Sequence, residues 1–156
     1  MSPLRLLVDT NLLVLLIVGK VNRKRIEKFK RTNTYCESDF DLLFELIAQA
    51  TETYTVTHVM AETSNLTDLK GHEGEESRAS LKKLAASLIE PPIASTEAAQ
   101  DDSFAALGLT DAAIARIARL HECTVLTDDF NLYRYLLTNE LPVLNFTHLR
   151  KAAGII

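Results

Sequence analysis

Several short apolar runs in this chain stop at an acidic residue and lead into a stretch with helical spacing. Leu4 to Val8 is such a run, broken only by Arg5; Asp9 closes it and Thr10-Asn11 opens a second apolar stretch, Leu12 to Val18. Strand, acidic turn and helix is the simplest reading. Ser38-Asp39 offers an N-cap before Phe40, Leu42, Leu43, Leu46 and Ile47, whose spacing marks an amphipathic helix ending near Ala50. Tyr54 to Val59 is rich in β-branched and aromatic residues and predicts a second strand, after which Met60-Ala61-Glu62-Thr63 turns into a helix.

From Gly71 to Ser77 the chain is polar, and Glu75 to Leu88 has helical periodicity with Leu81, Leu84, Ala85 and Leu88 on one side, until Pro91-Pro92 forbids continuation. Ser103 to Leu107 predicts a short helical turn before Gly108. Thr110 is placed to cap a helix from Asp111 to Leu120, with Ala113, Ile114, Ile117, Ala118 and Leu120 as its buried stripe. Cys123 to Thr127 reads as a third strand, ended by Asp128-Asp129. A helix over Leu132 to Leu137, a last strand over Leu141 to Phe146 interrupted by Pro142, and a helix over His148 to Ala153 complete the pattern. Alternating strands and helices predict the α/β class, with a parallel sheet covered on both faces. The expectation is a single domain over residues 1–156 without repeats.

Composition narrows the function classes. A chain that is 47% hydrophobic and 24% charged, with 5 Gly and 4 Pro, is of the folded type. The net charge of -4 argues against a protein that coats nucleic acid. That average hides a basic segment: Lys20, Arg23, Lys24, Arg25, Lys28, Lys30 and Arg31 stand against Glu27 alone. Two readings of it stay open, phosphate contacts for RNA or an ordinary solvated face. Cys36 and Cys123 lack metal spacing and read as reduced thiols of a cytoplasmic protein. Asp9 interrupts the only candidate export signal, and no apolar run has the length of a membrane span.

The acids carry the candidate chemistry. Asp9, Glu62 and Asp129 follow predicted strands closely, and Asp111 opens a helix leading into one. In a parallel sheet the strand carboxyl ends share an edge, so acids distant in sequence meet there. Clustered carboxylates repel unless a cation neutralises them, and oxygen-only ligands suit Mg²⁺ or Mn²⁺. Helix capping is the competing explanation for each acid taken singly.

Leu7-Val8-Asp9-Thr10-Asn11-Leu12, Met60-Ala61-Glu62-Thr63, Leu109-Thr110-Asp111-Ala112 and Leu126-Thr127-Asp128-Asp129-Phe130-Asn131 follow one another in this order. Together they resemble the motifs of the PIN-domain family. The resemblance implies a three-layer α/β/α sandwich with a parallel central sheet and a metal-dependent endoribonuclease activity. Asp9, Glu62, Asp111 and Asp129 would hold Mg²⁺ or Mn²⁺, supported by Thr127 and Asn131. Thr10 and Asn11 either orient Asp9 or only begin the helix. Asp128, in the variable place of the last motif, reads as a solvated turn acid in preference to a ligand. Arg23, Lys24, Arg25, Lys28, Lys30 and Arg31 form the candidate RNA-binding set, in a segment longer than the loop usual in compact members.

Small proteins that resemble this one are often the toxin of a toxin–antitoxin pair, which implies an antitoxin partner. A homodimer through the first two helices is also expected. The alternative is a catalytically silent PIN-like RNA-binding protein. A phosphotransferase with Asp9 as nucleophile is disfavoured, because Asn11 stands where the D-x-D pattern needs an acid, and no Gly-rich phosphate loop is present. His58, His72, His121 and His148 lack ligand spacing.

Overall fold

The computed structural model describes residues 2–156. Four short strands, β1 (Arg5–Val8), β2 (Glu52–Tyr54), β3 (Thr124–Thr127) and β4 (Val143–Asn145), form one sheet in the order β2-β1-β3-β4. Every pairing is parallel. Leu6, Leu7 and Val8 of the central strand are completely buried, as a parallel sheet covered on both faces requires. The chain is thus an α/β protein arranged as a three-layer α/β/α sandwich.

The helices are α1 (Thr10–Val21), α2 (Glu37–Gln49), α3 (Thr57–Leu66), α4 (Gly71–Ser87), α5 (Ser95–Ala99), α6 (Phe104–Leu107), α7 (Leu109–His121), α8 (Phe130–Thr138) and α9 (Phe146–Ala152). Helices α2, α3 and α4 pack around α1, while α5 and α6 pack on α7. Helix α3 touches both α1 and α7, which sets it between two of the acidic motifs. Leu12 to Gly19 are all buried, so α1 is a core helix. Among the described residues, no helix is long and apolar enough to cross a membrane.

Several local expectations change. The β-branched run Tyr54 to Val59 is split: β2 ends at Tyr54 and α3 begins at Thr57. Strand β2 pairs with β1 only at Arg5, Leu6 and Leu7, although β1 runs on to Val8, which pairs with β3. Tyr54 makes one further parallel bridge, to Ile89. Helix α2 is capped from Cys36, two residues before the expected cap at Ser38-Asp39. Asp39 instead sits in the first turn and its Oδ2 accepts from the Cys36 amide at 2.8 Å. Thr110 is not the cap of α7; Gly108 is, with a positive φ of 88° that a side chain would resist. Leu120, expected in the buried stripe of α7, is 56% exposed. Helix α5 had no periodic signal of its own.

The N-terminal turn of α2 is tied across the molecule. Arg150 of α9 donates to both carboxylate oxygens of the fully buried Asp39, at 2.6 and 2.9 Å, and to the Thr34 carbonyl at 3.0 Å. Its guanidinium also lies 5.2 Å from the Tyr35 ring centre. Further along, α1 and α2 approach closely at Gly19: a Cβ there would stand 2.1 Å from Phe40 Cδ2. Alanine is the better helix former, but here the Phe40 ring would have to leave its site. Gly19→Ala is expected to cost about 1–3 kcal/mol in urea unfolding; an unchanged or raised midpoint would show that the ring yields freely.

Candidate functional site

Because all strands run the same way, Asp9 after β1, the start of α3 after β2, and Asp128-Asp129 after β3 share one edge of the sheet. Asp9 is buried there, and both of its oxygens are held. The Thr10 amide donates to Oδ1 at 2.7 Å, and the Thr127 hydroxyl donates to Oδ2 at 2.6 Å. The same Thr127 oxygen accepts from the Asp129 amide at 2.9 Å, and Asp129 Oδ1 accepts from the Leu132 amide at 3.0 Å. Thr127 is thus the link between the ends of β1 and β3. Asp9 and Asp129 also cap α1 and α8, so the capping explanation is correct for both and accounts for one oxygen of each.

Glu62 reaches the same edge from the second turn of α3. The Thr10 hydroxyl donates to its Oε2 at 3.2 Å, and the Thr110 hydroxyl to its Oε1 at 2.7 Å. Thr10 therefore serves two acids, its amide holding Asp9 and its hydroxyl holding Glu62. Thr110 has a role that its expected cap function concealed. Asp111, next to it in the first turn of α7, is partly buried.

Two of the expected acids, Asp111 and Asp9, are shifted by burial and then by neighbouring charge. Burial, followed by the charges of Asp9, Asp129 and Glu62, pushes the Asp111 carboxyl up to about 7. Burial pushes Asp9 up to about 6, against the opposing hydrogen bonds from Thr127 and Thr10 and with added repulsion from Asp128 and Asp129. Asp128 belongs to this neighbourhood as well. It is not a solvated turn acid: the Tyr35 hydroxyl donates to its Oδ2, while its Oδ1 is buried without a hydrogen-bond partner. Burial raises its carboxyl, opposed by the Asn11 amide beside it and by the Arg150 charge. Tyr35 gave no signal in the sequence that would have linked it to a residue 93 positions away.

Among the described residues, no three His, Cys, Asp or Glu side chains are drawn to the mutual spacing of a closed ligand set. The carboxylates share a field while standing apart. The residues present nevertheless suit a divalent cation on two observations: the donor set is all carboxylate oxygen, and one buried oxygen, Asp128 Oδ1, has no donor. A partly hydrated Mg²⁺ needs only one or two direct carboxylates.

The remaining expected residues are placed as follows. Asn131 is exposed and lines an open cleft of about 590 Å³ with Leu107 and Arg134. Arg23 donates to Glu37 and, through two nitrogens, to Asp41. Arg25 donates to Glu73 at 2.8 Å, whereas Lys24, Lys28 and Arg31 are exposed and have no ion pair among the described residues. Sequence comparison adds no identity: no family model matches the chain, and no curated protein matches it.

Proposed function

We propose that the protein is a Mg²⁺- or Mn²⁺-dependent endoribonuclease of the PIN-domain type, with Asp9, Glu62, Asp111 and Asp129 as the cation-holding acids. The observation that carries this reading is the convergence of acids at one strand-end edge: Thr127 joins Asp9 to Asp129, Thr10 joins Asp9 to Glu62, and Thr110, beside Asp111, holds Glu62. Like charges gathered at a strand-end edge oppose folding, and a bound cation is what relieves them. When bound, a divalent cation supplies an activated water and a clamp on a phosphate oxygen.

The chain's own part in the reaction is positioning. Thr127 and the Thr10 amide fix both oxygens of Asp9, so that carboxylate keeps one orientation. Thr10 and Thr110 do the same for Glu62. Asp111, in the first turn of α7, would hold the cation together with the other three acids. Asp128, held by Tyr35, adds negative charge at the rim of the set.

The test is cleavage of a single-stranded RNA oligomer by purified protein with Mg²⁺ or Mn²⁺ and its loss on adding EDTA; cleavage that persists in EDTA would overturn the metal dependence. RNA bound but never cut would favour the silent RNA-binding reading. A toxin role, with an antitoxin partner, predicts that induced expression arrests growth of its host, and that a catalytically dead variant does not.

Stability offers a check that needs no substrate. At a free Mg²⁺ or Mn²⁺ concentration about a hundred times its dissociation constant, the native state gains about 2.7 kcal/mol. The Asp9 and Asp111 carboxyls titrate at about 6 and about 7, so protons displace the cation as pH falls through that range. The rise in thermal midpoint is therefore expected to be larger at pH 8 than at pH 5.5. An equal rise at both would mean that the cation binds elsewhere.

A further inference from the structure

A second charged feature lies beyond the far end of α3. Arg25, Lys28, Phe29, Lys30 and Lys70 line a cleft of about 520 Å³ together with two acids, Asp68 and Glu73. The acids are already engaged. Glu73 accepts from Arg25 at 2.8 Å and from Asn22 at 3.2 Å, and Asp68 lies 3.9 Å from Lys30 Nζ. Lys28 and Lys70 are exposed and have no acid within ion-pair distance among the described residues. With four cations against two acids, the cleft carries a formal charge of +2 in a chain whose net charge is -4. Phe29 adds a half-buried aromatic side chain to the wall.

The position of the cleft matters as much as its sign. Glu62 and the cleft are joined by α3: four residues of helix, about 6 Å of rise, separate Glu62 from Leu66, and Asp68 of the cleft follows two residues later. A polyanion drawn towards an acidic pocket is repelled by it and needs a positive surface close by. We infer that this cleft grips the sugar-phosphate backbone of single-stranded RNA beside the cleavage site, with Lys28 and Lys70 on the phosphates. This rests on the ribonuclease reading and supplies the contact surface that reading lacks. It also divides the basic segment: Arg23 and Arg25 hold the loop to α2 and α4, and Lys28 faces outward for RNA.

Binding of a fluorescent single-stranded RNA oligomer in EDTA tests the cleft without any cleavage step. Lys28→Gln with Lys70→Gln is expected to weaken binding roughly tenfold and to reduce the slope of log affinity against log salt by about 1.4, two single-strand phosphate contacts. Lys82→Gln with Lys83→Gln, the same change of charge on the exposed side of α4, is the control. If both pairs fold as wild type and lower affinity and slope equally, the effect is one of net charge and the cleft assignment is overturned. Failure of wild type to bind RNA overturns it as well. Absence of metal-dependent cleavage with the cleft effect intact would overturn the nuclease reading alone.

Discussion

In cation-free buffer at pH 8, Asp111→Asn is expected to melt about 4–8 °C above wild type and, with Mg²⁺ present, to cleave RNA about a thousandfold more slowly. The two effects have opposite signs because the same carboxylate is a burden on the fold and a member of the proposed cation site. Its folded value of about 7 lies above the ordinary 3.8. A raised carboxyl favours folding only while it is protonated, so its penalty grows as pH rises from about 4 through about 7 and is complete above that. Asparagine keeps the shape and removes the charge, gaining about 2 kcal/mol at pH 8 and progressively less as pH falls. Thermal scans at pH 8 and pH 5 in EDTA read the first effect, and RNA cleavage with Mg²⁺ reads the second. A midpoint that drops at pH 8 would show that the charge supports the fold, and undiminished cleavage would remove Asp111 from the mechanism.

Arg150→Met is expected to cost about 3–5 kcal/mol, which for a domain of this size lowers the thermal midpoint by roughly 10 °C or more. The reason is the residue left behind. Asp39 is fully buried, receives both of its side-chain donors from Arg150, and would keep only the Cys36 amide. Replacing both partners, Asp39→Leu with Arg150→Met, is expected to recover part of the loss, since an apolar pair of similar volume carries no stranded charge. Recovery stays partial because the first turn of α2 loses its acceptor for Cys36. A fall of less than about 2 °C for Arg150→Met would mean that water reaches Asp39 and the tie contributes little.

Those two predictions draw on parts of the molecule that differ in how readable they are. The strand-end acids are legible because their position depends on local pattern alone: an apolar run, an acid, then helical spacing. That pattern marks Asp9 and Asp129, while Glu62 and Asp111 are marked by the helices they sit in, and the parallel sheet brings the strand-end acids to one edge. Helix α3 beginning inside a β-branched run is not legible, because β2 is a strand only where it lies beside Arg5, Leu6 and Leu7, far away in sequence. The same holds for Tyr35 on Asp128 and Arg150 on Asp39, 93 and 111 residues apart. Asp128 reads as a solvated turn acid only until Tyr35 is known to cover it. Thr110 shows a subtler failure: a threonine before a helical acid is correctly seen as special, yet its hydroxyl serves Glu62 on another helix instead of its own backbone.

The Thr127 hydroxyl that closes on Asp9 spans 118 residues. A ribosome adding about 5–20 residues per second delivers Thr127 roughly 6–24 s after Asp9, and only then can β3 slot beside β1. Until that moment β1 has only β2 for a neighbour, and Asp9 lacks the hydroxyl that holds its Oδ2. The acidic edge is thus among the late acquisitions of the growing chain, completed only after about four fifths of it has been made.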